Sequence, residues 1–140
     1  NWAVCDSFCA GLREARVYKE EYFRLIQQYS GSAREFEARF AAVLLLTHFN
    51  RPEELERCFA EYQRIRQPNY YAWMGVAWGY SVFAVTDFDR TIAAMERAEL
   101  PDEVWNKALQ KMRESYRITP EQKDRAAQLK RGQRGRKQHE

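Results

Sequence analysis

Signals for the start of a helix recur along this chain at nearly constant spacing. They fall near residues 18, 52, 87 and 120, separated by 34, 35 and 33, with a second set near 33, 70 and 101, separated by 37 and 31. Each signal has a local cause. Ser32 with Glu35 predicts a capping box opening a helix that runs to about His48, and Thr119, Pro120 and Gln122 repeat the device with proline at the first helical position. Pro52 after Asn50, Asn69 after Pro68, Thr86 or Asp87, and Pro101 with Asp102 mark the other starts, while Gly11, Tyr29-Ser30-Gly31 and Asn50-Arg51 mark stops.

A short amphipathic helix cannot bury its apolar stripe alone, so a regular succession of helix pairs implies stacking side by side. The expected fold is therefore all-α, an α-α superhelix: a HEAT- or armadillo-like solenoid of helix pairs with a concave face. Residue identities do not repeat convincingly, and a plain helical bundle is the alternative. Six Gly and four Pro in 140 residues are too few for a turn-rich β fold, and 45% hydrophobic residues are enough to build a core.

The longest apolar run without a charge at its edges, Phe40 to Leu46, is too short to span a bilayer, and no signal peptide opens the chain. Cys5, Cys9 and Cys58 are an odd number without a CxxC pair, which fits reduced thiols in a cytoplasmic setting. The chain begins at Asn1, without Met, inside what reads as a running helix, so it is expected to be a fragment. The net charge is +3, and residues 129–140 contribute five of the 23 basic and one of the 20 acidic residues. The remaining 18 basic and 19 acidic residues make the body nearly neutral. A nucleic-acid surface would have to arise from sorting of charge between faces. The chain accordingly divides into a helical domain over 1–130 and a basic tail over 131–140, expected to be disordered without DNA, with nonspecific phosphate contact as its lesser role.

Within the helices, Phe36, Phe40, Val43 and Leu44 form one apolar stripe, Leu55, Phe59 and Tyr62 another, and Val104, Ala108, Leu109 and Met112 a third. The segment Tyr70 to Val85 carries no charge over 16 residues and is expected to be central and buried on nearly all sides. Gly75 and Gly79, four apart, would allow close helix packing there.

Polar residues on apolar stripes are the candidates for chemistry. Asp6 shares a stripe with Trp2, Cys5 and Cys9, where a carboxylate is costly unless it is paired, capping or working. Arg39 lies between Phe36, Phe40 and Val43, with an ordinary i, i+4 pair to Glu35 as its bland reading. Trp78 sits in the uncharged helix, where core is the default role. His48 and His139 are far apart, and no metal-ligand cluster, Ser-His-Asp order or Gly-rich phosphate loop is present.

The words NWAVCDSFC (1–9), EFEARFAAVLLL (35–46), YYAWMGVAWGYSV (70–82) and NKALQKMRESYRIT (106–119), in this order and spacing, resemble the AlkD-like DNA alkylation repair proteins, glycosylases built from HEAT-like repeats. The resemblance covers residues 1 to 130 and implies the C-terminal portion of such a protein, with N-terminal helices missing. It maps the family's Trp-x-x-x-Asp pair onto Trp2 and Asp6, its arginine onto Arg39 and its second tryptophan onto Trp78. The implied partner is duplex DNA containing alkylated purines, acted on by a monomer without cofactor, metal or membrane.

The implied reaction is hydrolysis of the N-glycosidic bond of an N3- or N7-alkylated purine, a cationic leaving group that needs no protonation. A desolvated carboxylate, Asp6, would stabilise the oxocarbenium-like sugar and place a water. Trp2 and Trp78 would contact the backbone and sugar of the lesion. Arg39 would hold a phosphate, with Lys107, Lys111, Arg113 and Arg117 as further candidate phosphate contacts. Ala-Val-Cys between Trp2 and Asp6 is more apolar than in active members. The alternative function is a non-catalytic HEAT-like module binding nucleic acid or protein in its groove.

Overall fold

The computed structural model describes residues 19–66 and 69–132. Trp2, Asp6, Cys5, Cys9, Gly11 and residues 133–140 lie outside them. All regular structure among the described residues is helical: α1 (Lys19–Ser30), α2 (Glu35–His48), a 3-10 turn (Pro52–Glu54) running into α3 (Leu55–Arg64), α4 (Tyr70–Thr86), α5 (Phe88–Arg97), α6 (Asp102–Glu114) and α7 (Pro120–Gln128). No helix among them is long and apolar enough to cross a membrane.

Most starts follow the expected chemistry. Asn69 caps α4 by accepting from the Tyr71 N–H, Asp87 caps α5 by accepting from the Arg90 N–H, and Thr119 with Gln122 completes a reciprocal capping box on α7. The box expected at Ser32 does not form. Glu35 is the first residue of α2 rather than its third, Arg34 is the cap, and Ser32 Oγ accepts from the Arg34 N–H (3.0 Å) while donating to Glu37 (2.7 Å). A Ser-turn thus takes the hydroxyl that the cap would have used.

Two sets of helices organise the molecule. α2, α4 and α6 lie side by side, with α4 in the middle packed most extensively on both neighbours. They point the same way. Arg39 in the first half of α2 donates to the carbonyl of Tyr71 at the start of α4, and Thr86 at the end of α4 donates to the carbonyl of Asn50 just beyond α2. The second set, α1, α3, α5 and α7, is tied by ion pairs at recurring intervals: Lys19 to Glu54, Glu20 to Arg57, Glu56 to Arg90, and Asp89 to Arg125.

The core is continuous across both sets. Ile26, Leu44, Leu45, Phe49, Leu55, Phe59, Ile65, Phe83, Met95, Trp105 and Met112 are buried. Tyr62, Tyr80 and Phe83 form an aromatic knot with centroids 5.2–6.5 Å apart. Gly79 makes this knot possible. A Cβ there would stand 1.9 Å from Tyr62 Oη, whose hydroxyl passes over the glycine to donate to the Ala42 carbonyl at 2.7 Å. At Gly75 a Cβ would meet Arg39 and Ala42 at ordinary contact distances of 3.5 and 3.6 Å.

At the other end, Trp105 Nε1 donates to the Leu129 carbonyl (2.8 Å), and Asn106 exchanges two hydrogen bonds with the backbone of Arg131. The Arg131 guanidinium stacks on the Trp105 ring at 3.6 Å. Chain as far as Arg131 is therefore fastened to α6.

Candidate functional site

The three parallel helices α2, α4 and α6 carry a cleft of about 270 Å³, lined by Arg39, Tyr70, Tyr71, Met74, Trp78, Lys107 and Lys111. Arg39 reaches it from α2, the aromatic residues and Met74 come from α4, and the two lysines, one turn apart, come from α6. Four residues singled out in the sequence, Arg39, Trp78, Lys107 and Lys111, thus meet in one place. The lining contains three cations and no carboxylate among the described residues.

The local reasons are legible. Val104, Trp105, Ala108, Leu109 and Met112 turn into the core and fix the rotation of α6, which leaves Lys107 and Lys111 on its opposite edge. In α4, the small residues Ala72, Gly75, Val76 and Gly79 take the packed side, so the large ones, Tyr71, Met74, Trp78 and Val82, occupy the other. Expected to be buried on nearly all sides, α4 instead keeps one accessible stripe: Tyr70 is 59% and Tyr71 46% exposed, and Trp78 is half-buried. Tyr70 and Tyr71 meet edge to face at 5.4 Å.

Arg39 Nη1 donates to the Tyr71 carbonyl at 2.9 Å, and its side chain crosses α4 at Gly75. This bond aims the guanidinium along the cleft floor. Phe36, expected on the apolar stripe, is 49% exposed, because α2 buries Ala38 and the run from Ala41 to Leu46 instead.

A second cavity, about 340 Å³, adjoins the first and shares Trp78 and Lys111 with it; Ser81, Val82, Val85, Glu114, Ser115 and Arg117 complete its lining. Arg117 therefore belongs to the same groove. Arg113 does not. Two residues from Lys111 on a helix, it faces α7 and lines separate cavities with Gln110, Ala127 and Lys123. Trp2 and Asp6 lie outside the described residues. Among the described residues no group of three or more His, Cys, Asp or Glu could hold a metal ion.

Tyr70, Tyr71, Met74, Ser81 and Ser115 line the groove without having been singled out in the sequence. The signal was present as size rather than polarity, in the i, i+3, i+4, i+7 pattern of Ala72, Gly75, Val76 and Gly79. Comparison of the chain with protein-family models, with curated proteins and with solved structures finds no match.

Proposed function

We propose that this chain is the C-terminal part of a HEAT-like α-α superhelix and acts as a DNA glycosylase on N3- or N7-alkylated purines, resembling the AlkD-like family. The observation that carries the reading is the meeting of Arg39, Trp78, Lys107 and Lys111 in one cleft across three parallel helices. The superhelix is supported by the parallel α2–α4–α6 row and by ion pairs linking helices about 34–37 residues apart along the other row.

A phosphodiester needs cations that are fixed in place, and the cleft offers them beside an apolar wall. Arg39 and Lys107 would take phosphate oxygens, and the Trp78 face would lie against the sugar of the lesion, where cationic character develops. The alkylated base leaves with its positive charge neutralised by bond cleavage, so no general acid is required. Asp6 would stabilise the oxocarbenium-like sugar and orient the attacking water, with Trp2 beside it.

The test is release of N7-methylguanine or N3-methyladenine from methylated duplex DNA by the full-length protein and by Asp6→Asn at equal folded concentration. Release that collapses in the variant is expected. Duplex binding without release from either protein would replace this reading with a groove that binds and does not cut.

A further inference from the structure

The cavity beside Trp78 differs in kind from the cleft it adjoins. The cleft is lined by cations and aromatic rings, whereas this second space adds a carboxylate and two hydroxyls to an aliphatic wall. Val82 and Val85 on α4 and the Trp78 ring form one side, Lys111 and Glu114 on α6 the other, and Ser115 and Arg117 close the end where α6 gives way to a turn. A volume of about 340 Å³ falls at the lower end of the range for small-ligand sites.

The polar groups sort the ligand. Lys111 and Arg117 offer two positive charges, suited to one phosphate. Ser81 Oγ donates to the Trp78 carbonyl (2.6 Å) and Ser115 Oγ accepts from the Arg117 N–H (3.2 Å), so both hydroxyls hold the local backbone. Glu114 takes the Gln110 amide on its outer side at 3.4 Å and is otherwise an acceptor facing the ligand space. A carboxylate pairs in bidentate fashion with two adjacent N–H donors. Among the common bases guanine presents such a pair, its ring N1–H and exocyclic amino group, whereas thymine presents a single ring N–H.

We propose that this cavity is a nucleobase seat: it takes one unstacked guanine, its phosphate between Lys111 and Arg117, its face on Trp78 and Val82, and its Watson–Crick edge on Glu114. The proposal rests on the reading of the groove as a nucleic-acid track. It adds a base-reading position one step beyond the lesion cleft, with Lys111 shared between the two.

The experiment titrates the full chain with dGMP and dTMP as isolated probes, by calorimetry, and in parallel with a fluorescent duplex carrying an abasic-site analogue. Wild type is expected to bind dGMP roughly tenfold more tightly than dTMP, the order of one good bidentate contact. Glu114→Gln removes that preference and leaves dTMP unchanged, while Arg117→Gln weakens both nucleotides equally. Equal affinity for the two nucleotides, or a preference that survives Glu114→Gln, overturns the base seat. If the duplex still binds in that case, the groove reading stands alone. If neither nucleotides nor duplex bind, both fall. A guanine preference that depends on Glu114, without duplex binding, keeps the seat and removes the glycosylase reading.

Discussion

Two glycines one turn apart in α4 do opposite work. At Gly79 a methyl group would enter the space of Tyr62 Oη and ring, a rigid side chain already fixed by its bond to the Ala42 carbonyl. Gly79→Ala is therefore expected to lower stability by about 3 kcal/mol through overpacking and the broken hydrogen bond. Gly75→Ala meets only ordinary contacts and should be neutral or gain up to about 1 kcal/mol from helix propensity. Urea denaturation of the two variants beside wild type checks the contrast, and equal losses would remove the close packing from the explanation. Titration follows from the same knot. Burial pushes the phenols of Tyr62 and Tyr80 above their usual range and raises the Cys58 thiol, helped there by the nearby Glu54 carboxylate. The unfolded chain releases these protons near pH 8.5 for a thiol and pH 10 for a phenol, while the folded chain holds them. The contribution is thus complete below about pH 8 and is lost as pH rises beyond it. Tm should fall between pH 8 and pH 10.5. Tyr80→Phe, which removes a buried hydroxyl without a hydrogen-bond partner, should flatten that fall at little cost at neutral pH.

At the scale of elements, an acidic residue followed by arginine recurs in the second row: Glu56-Arg57 in α3, Asp89-Arg90 in α5 and Asp124-Arg125 in α7. Each arginine reaches back to an acid of the preceding helix in its row, at Glu20, Glu56 and Asp89. Arg57 and Arg125 also lie over the rings of Phe23 and Phe88. The regular spacing of helix starts was visible in the sequence, but this dipeptide was not, since charged pairs are common on any helix surface and only the partners reveal the period. The capping box of α7 was equally legible, because cap chemistry is local. That of α2 was not, because Ser32 had a competing turn two residues ahead. α4 was misjudged for a related reason: with no polar residue on any side, it offers no polarity period from which an open face could be recognised. The ion pairs are half-exposed or more, which limits each to a few tenths of a kcal/mol. A double-mutant cycle on Glu56→Gln and Arg90→Gln is expected to return a coupling of about 0.5 kcal/mol at low salt and none at 0.5 M salt. A coupling of several kcal/mol that resists salt would mean that the ladder holds the rows together, rather than selecting their register.

At the scale of the whole molecule, a chain with 23 basic and 20 acidic residues has little long-range field with which to attract a polyanion. Affinity for nucleic acid must then come from where the charges sit. Acids and arginines neutralise one another along the α1–α3–α5–α7 row, while Arg39, Lys107 and Lys111 face a cleft without a carboxylate among the described residues. The salt dependence of duplex binding counts phosphates neutralised, at about 0.9 in the slope of log affinity against log salt per contact. Replacing Lys107 by Gln should lower the magnitude of that slope by about 0.9 and weaken binding at low salt. The same change at Arg113, which carries the same charge on the same helix but faces α7, should leave the slope unaltered. Net charge falls equally in both variants, so a difference between them can arise only from position. Equal losses would mean that the duplex responds to the overall charge of α6 and not to the cleft, and the track across α2, α4 and α6 would have to be abandoned.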